Sequence, residues 1–168
     1  VSSWRLGRSL GIDPISSFQK ICTFDCVYCQ AERTEVLSST REVFVPTEAL
    51  IHEVRSLPDV PFDHITFAGN GEPTLAKNLG EMIRAIRMVR NEKIAVITNA
   101  SLIDRKDVVE DLLLADLVEA KLDASSAESF QTVNRPMSEI RWEDIVEGLK
   151  AFRKIYRGHL TLQMMFVA

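Results

Sequence analysis

Three features of the sequence predict an α/β fold of parallel strands. Short runs rich in β-branched and apolar residues recur, segments with helical periodicity lie between them, and unusual polar residues stand where the runs end. The runs are residues 65–67, 94–98, 117–122 and 160–167, each with the composition of a pleated, buried surface. Apolar spacing of three and four marks helices at 47–57, 79–90, 105–114 and 142–156; in the last, Ile145, Leu149, Phe152 and Ile155 or Tyr156 share one face. Alternation of this kind implies right-handed crossovers between parallel strands, in a barrel or an open doubly wound sheet.

From the N-terminus, a short strand is expected at 15–21 and a turn of helix at 28–33, on either side of the first cysteines. Thr47, after Pro46, is placed to cap the first long helix, Asp104 stands before the helix at 105, and Gly158 follows the last helix as a stop signal. Repetition is structural only, without a solenoid-like sequence period. The sequence lacks an initiator Met and stops inside the apolar 160–167 run with no turn or cap, so residues 1–168 are read as one domain cut short before its last strand.

Composition narrows the function classes. With 168 residues, 46% hydrophobic and 26% charged, the chain can enclose a core and is not expected to be disordered. No apolar run approaches the ~20 residues of a membrane-spanning helix, so no membrane partner is expected. Twenty basic against 24 acidic residues leave a net charge of −4, which shows no general attraction to nucleic acid or anionic lipid. Three cysteines clustered between Cys22 and Cys29 are the opposite of an extracellular disulfide framework. With no secretory segment at the N-terminus, the expectation is a reducing, cytoplasmic compartment.

The polar residues fall in a pattern. Gly69, Asn70, Gly71, Glu72 and Pro73 follow the strand at 65, Asn99 closes the strand at 94, and Asp123 closes the strand at 117. Parallel strands end on one side, so these groups converge on the carboxyl edge, where α/β folds bind ligands. As a bare pattern Gly-Asn-Gly is also a turn, and Asn99, Asp123 and Ser125 could equally be caps or turn formers.

Cys22, Cys26 and Cys29 spell CxxxCxxC, three soft ligands on one short loop, which suits an iron–sulfur cluster, zinc or Cu(I). Structural zinc normally takes four protein ligands, and His52, His64 and His159 show no spacing that nominates a fourth. Three thiolates suit a cubane with one iron open; buried free cysteines are the bland alternative.

This motif, with Tyr28 immediately before the last cysteine and a Gly-Glu-Pro loop one strand later, resembles the radical S-adenosylmethionine (radical SAM) superfamily over essentially the whole chain. The stretches Arg5-Leu6-Gly7-Arg8-Ser9-Leu10-Gly11-Ile12-Asp13, Thr23-Phe24-Asp25-Cys26-Val27-Tyr28-Cys29-Gln30 and Gly69-Asn70-Gly71-Glu72-Pro73-Thr74-Leu75 resemble the branch of the tRNA wyosine (4-demethylwyosine) synthases. The resemblance implies a partial (β/α)6 TIM-like barrel of the radical SAM type. It also implies a [4Fe–4S] cluster on Cys22, Cys26 and Cys29, and S-adenosylmethionine chelated to the open iron and cleaved by one electron to a 5′-deoxyadenosyl radical.

By the same resemblance Tyr28 lies near the adenine, its alternative role being a loop aromatic packed on the core. Gly69, Asn70, Gly71 and Glu72 resemble the Gly-Gly-Glu motif that receives the methionine ammonium, with Asn70 departing from a strict Gly. Asn99, Asp123 and Ser125 are candidates for the ribose hydroxyls or the carboxylate. Lys121 could pair with a carboxylate or face outward, Arg135 in Asn134-Arg135-Pro136 could present its guanidinium to an anion, and Met164 and Met165 are read as core. The implied partners are an external electron donor such as flavodoxin or ferredoxin and, for wyosine-type chemistry, tRNA. The alternatives are a glycyl-radical-enzyme activase and, outside enzymes, an electron carrier or a zinc-binding module. A carrier normally supplies four cysteines per cubane, and a zinc module wants a fourth ligand.

Overall fold

The computed structural model describes residues 2, 3, 5–58 and 60–166. β1 (Ser2–Ser3) runs antiparallel to β2 (Gly7–Ile12), and the short β3 (Ile21–Cys22) and β4 (Val36–Leu37) form a separate parallel pair. Then follow α1 (Thr47–Ser56), β5 (His64–Phe67), a 3-10 turn over Pro73–Leu75, α2 (Leu79–Arg87), β6 (Lys93–Thr98), α3 (Lys106–Leu112), β7 (Leu117–Lys121), α4 (Ala127–Val133), α5 (Trp142–Ile155) and β8 (His159–Gln163).

The main sheet has the order β1-β2-β5-β6-β7-β8, and every pairing from β2 onward is parallel. Each new strand is laid on the same side of the last. A doubly wound sheet reverses its strand order at a switch point; this one does not, and sequential addition is the order of a (β/α) barrel wall. Among the described residues no helix is long and apolar enough to cross a membrane.

Register and the two-residue pleat sort the strand side chains into two layers. Ile65, Ile94, Phe67, Val96 and Val118 are fully buried and belong to one apolar core with Leu79, Met82, Ile83 and Ile86 of α2, Val108 and Leu112 of α3, and Ile145, Leu149 and Phe152 of α5. The other layer is more polar: the Ser9 and Thr66 hydroxyls meet at 2.6 Å, and Arg5 donates to buried Glu119 at 2.5 Å.

Several expectations are corrected. The first parallel strand is β2, not 15–21; its two glycines and Arg8 dilute the β-rich signal. Residues after Asp13 turn instead, the Asp13 carboxylate accepting from the Ile15 amide at 3.0 Å, and only Ile21 and Cys22 pair. No helix forms at 28–33, where Glu32 takes a positive φ of 64°. Neither Thr47 nor Asp104 is a cap: Pro46 and Arg105 hold those positions without side-chain bonds. α2 stops at Arg87 because the Met88 and Val89 amides bond three residues back, at Ala85 and Ile86. α4 is additional, begun by a Ser126–Ser129 capping box. Met164 and Met165 are exposed rather than core, since pairing of the outermost strand ends at Gln163. Val167, the expected end of that strand, lies outside the described residues.

Candidate active site

The carboxyl edge of the sheet is stitched to the cysteine loop by backbone. Gly71 bridges Ile21, and the Glu72 amide donates to the Ile21 carbonyl at 3.3 Å. A Cβ on Gly71 would lie 2.1 Å from that carbonyl oxygen, and one on Gly69 would lie 2.2–2.6 Å from Asp13 side-chain atoms. Glycine is therefore required by close approach, not by an unusual φ. Asp13 clamps the same loop, accepting from the Asn70 amide at 3.0 Å.

Glu72 is buried at the centre of this seam. Its Oε1 accepts from the Thr74 amide (3.1 Å), the Thr74 hydroxyl (2.7 Å) and the Thr98 hydroxyl (2.6 Å), and its Oε2 accepts from the Asn99 amide at 2.7 Å. Burial raises its carboxyl above the ordinary value, against the bonds from Thr98, Asn99 and Thr74. Glu72 thus joins the ends of β5 and β6, and Oε2 keeps capacity for one more donor. Pro73 opens the 3-10 turn that Glu72 caps.

The cysteines are free and half-buried. Each sulfur meets one side-chain N–H donor: Asn99 Nδ2 lies 3.6 Å from Cys22, Asn134 Nδ2 3.4 Å from Cys26, and Lys20 Nζ 3.0 Å from Cys29. Burial, then the carboxylate of Glu72, push the Cys22 thiol up to about 12; burial also raises Cys26, against the bonds from Asn134 and Tyr28. Such thiols ionise when a metal takes the proton's place. Among the described residues no three His, Cys, Asp or Glu side chains are grouped as a single metal ion would need. In a cubane each thiolate takes a different iron, so the sulfurs need not meet at one point. Three free thiols, each facing a side-chain N–H, fit that group.

A second polar knot adjoins them. The Tyr28 hydroxyl donates to Asp123 Oδ2, Asn134 Nδ2 lies 3.3 Å from both, and Asp123 Oδ1 accepts from the Met165 amide at 2.7 Å. Lys121 Nζ stands 3.7 Å from Asp123 and 4.9 Å from the Tyr28 ring centroid. Burial and the bond to Asp123 raise the Tyr28 hydroxyl, which stays a donor at neutral pH.

The structure therefore brings Cys22, Cys26, Cys29, Tyr28, Gly69, Asn70, Gly71, Glu72, Pro73, Asn99 and Asp123 to one edge. Ser125 is exposed beyond them. Arg135 also points away, 3.9 Å from Asp25 with its side chain 57% exposed, while its neighbour Asn134 is the buried contact. Sequence reasoning missed Lys20, Asn134 as an amide donor, and Asp13. The available signals were a Lys two residues before the first cysteine and an Asp closing the motif that begins at Arg5. Missed also was the pair of Arg5 and Glu119, which with Thr161 and Gln163 lines a cavity of about 600 Å³.

The family model described as Radical SAM superfamily matches residues 16–167. A UPF0026 protein of Synechocystis sp. is 43% identical over 165 residues, a match covering 98% of this chain and 62% of the relative, so the chain spans less than two thirds of that protein's length. Among solved structures, native anSMEcpe with bound AdoMet superposes with a TM-score of 0.66 at 21% identity, over 92% of this chain and 42% of that one. TYW1 with a lysine-pyruvate adduct bound gives 0.69 at 17% identity, over 96% and 57%. At these identities the two structures speak for the fold. Because the family match takes in both the cysteine loop and the strand ends around it, the chain belongs to the radical SAM superfamily, whose members are enzymes that use a [4Fe–4S] cluster and S-adenosylmethionine.

Proposed function

We propose that this chain is the cofactor-cleaving core of a radical SAM enzyme, with Cys22, Cys26 and Cys29 as the three cluster ligands. The observation that carries the reading is the placement of three free thiols beside the Gly69–Asn70–Gly71–Glu72 seam at the carboxyl edge of sequentially added parallel strands. Bound together, a cluster on these cysteines and S-adenosylmethionine would supply one-electron cleavage of the sulfonium C5′–S bond, to methionine and a 5′-deoxyadenosyl radical, with the electron supplied by an external donor such as flavodoxin or ferredoxin. The protein's part is to hold and orient. Glu72 Oε2 and the loop carbonyls at Gly69 and Gly71 offer acceptors to the methionine ammonium, Tyr28 offers a ring near the adenine, and Asn99 and Asp123 offer polar groups to the ribose or carboxylate.

For the substrate, the motif likeness favours a tRNA guanosine modified in the wyosine manner. Its support is the sequence resemblance alone, and the net charge of −4 adds none. Anaerobic reconstitution with iron and sulfide, followed by dithionite and S-adenosylmethionine, is expected to release 5′-deoxyadenosine, with release abolished in Cys26→Ala. A colourless protein that releases none overturns the reading. Stimulation of release by tRNA tests the finer assignment.

A further inference from the structure

The three donors on the cysteine sulfurs come from three separate parts of the fold. Lys20 immediately precedes β3, Asn99 follows β6, and Asn134 is the C-cap of α4. No local turn generates this side-chain pattern; the tertiary structure delivers one side-chain N–H to each sulfur. Asn99 is held for the task, since its Nδ2 also donates to Thr23 at 2.7 Å and its Oδ1 accepts from the Ser101 amide at 2.9 Å. Asn134 is 3% exposed and lies between Cys26, Tyr28 and Asp123.

Lys20 differs from the two amides. It is 4% exposed, its Nζ donates to the Glu32 carbonyl at 2.7 Å and to Cys29 Sγ at 3.0 Å, and among the described residues it forms no ion pair with a carboxylate. Lysines are almost never buried this deeply without a compensating anion. The group it touches that becomes anionic on metal binding is the Cys29 thiolate.

Hydrogen bonds to cluster sulfurs, together with nearby charge, set the reduction potential of iron–sulfur centres. Reduction adds one electron from the external donor and neither forms nor breaks a bond in the protein, so an N–H or a cation facing a ligand sulfur stabilises the reduced state more than the oxidised one. We propose that Lys20, Asn99 and Asn134 are positioning residues that raise the cluster's reduction potential, one side-chain N–H per cysteine, with Lys20 as the dominant member. This inference rests on the cluster reading above.

The test is an EPR-monitored redox titration of the natural-length protein reconstituted with iron and sulfide, comparing wild type, Lys20→Met and Asn134→Leu at matched iron content. Lys20→Met is expected to lower the ratio of reduced to oxidised cluster at a fixed potential about tenfold, a shift of about −59 mV for a one-electron couple. Asn134→Leu is expected to shift the ratio in the same direction by less. Unchanged potentials at full iron content overturn the inference while leaving the cluster reading intact. Should Lys20→Met hold no cluster, the Asn134→Leu potential decides on the same terms. Loss of the cluster from both variants also overturns it, because the donors would then serve assembly rather than potential. A wild type that takes up no cluster overturns the cluster reading and this inference with it.

Discussion

The layer between the sheet and its helices and the edge where the strands end are both buried, yet different forces hold them. In the layer, Ile65, Phe67, Met82, Ile83, Ile94 and Phe152 are at most 1% exposed, and each such side chain contributes about 1.5–3 kcal/mol by leaving water. At the edge the buried residues are Thr23, Glu72, Thr98, Asn99 and Asn134. A satisfied hydrogen bond contributes only about 0.5–1.5 kcal/mol net, but a buried donor or acceptor left alone costs about 1–3 kcal/mol. The contrast teaches that stability resides mainly in the layer and geometry in the edge. Many apolar neighbours share the work in the first, whereas Glu72, Thr98 and Asn99 in the second each have specific hydrogen-bond partners.

The strongest way to break that contrast is to cut the layer. Phe152→Ala, which removes a ring stacked on Tyr156 at 4.7 Å, is expected to cost about 3–5 kcal/mol in urea unfolding. The folded fraction of the reconstituted variant should still release 5′-deoxyadenosine at close to the wild-type rate, and a loss of cleavage out of proportion to unfolding would break the division. Glu72→Gln attacks the edge. Whichever way the new amide turns, its NH2 faces a donor, either the Asn99 amide or the Thr74 amide, neither of which can rotate away. The expected stability loss is smaller, about 1–3 kcal/mol, while affinity for S-adenosylmethionine falls tenfold or more; unchanged affinity in equilibrium binding would show that Glu72 is only a structural strut.

The smallest perturbation is chemical. Only the thiolate alkylates, and a Cys22 thiol held at about 12 instead of 9.0 has roughly a thousandfold less thiolate at pH 8. In metal-free protein Cys22 should therefore resist iodoacetamide at pH 8 and become labelled as the pH rises towards 12, read by mass spectrometry of the labelled peptide. Rapid labelling at pH 8 would mean that the edge is open to water, and would weaken the contrast with the layer.

Much of this was legible from local features. The strands at 64–67, 93–98 and 117–121 and the helices α2, α3 and α5 announce themselves through composition and period, because those signals arise within a few neighbouring residues. β2 was obscured by Gly7 and Gly11, and α4 because Phe130 is its one buried residue, too little for an apolar period, whereas α3 of equal length shows Val108 and Leu112 four apart. The spacing of Cys22, Cys26 and Cys29 was equally plain, since one loop must supply all three ligands.

By itself, then, the sequence determined the parallel α/β class, the three-thiol loop and the run of polar residues at the strand ends. Only the tertiary structure decided what surrounds each sulfur. Asn134 meets Cys26 across 108 positions, Asn99 meets Cys22 across 77, and Arg5 meets Glu119 across 114. It also decided that Glu72 accepts four hydrogen bonds within the protein and that Arg135 turns away while Asn134 turns in. Propensity and periodicity are properties of neighbours along the chain, whereas a hydrogen bond between remote residues exists only after the strands have set their order and register.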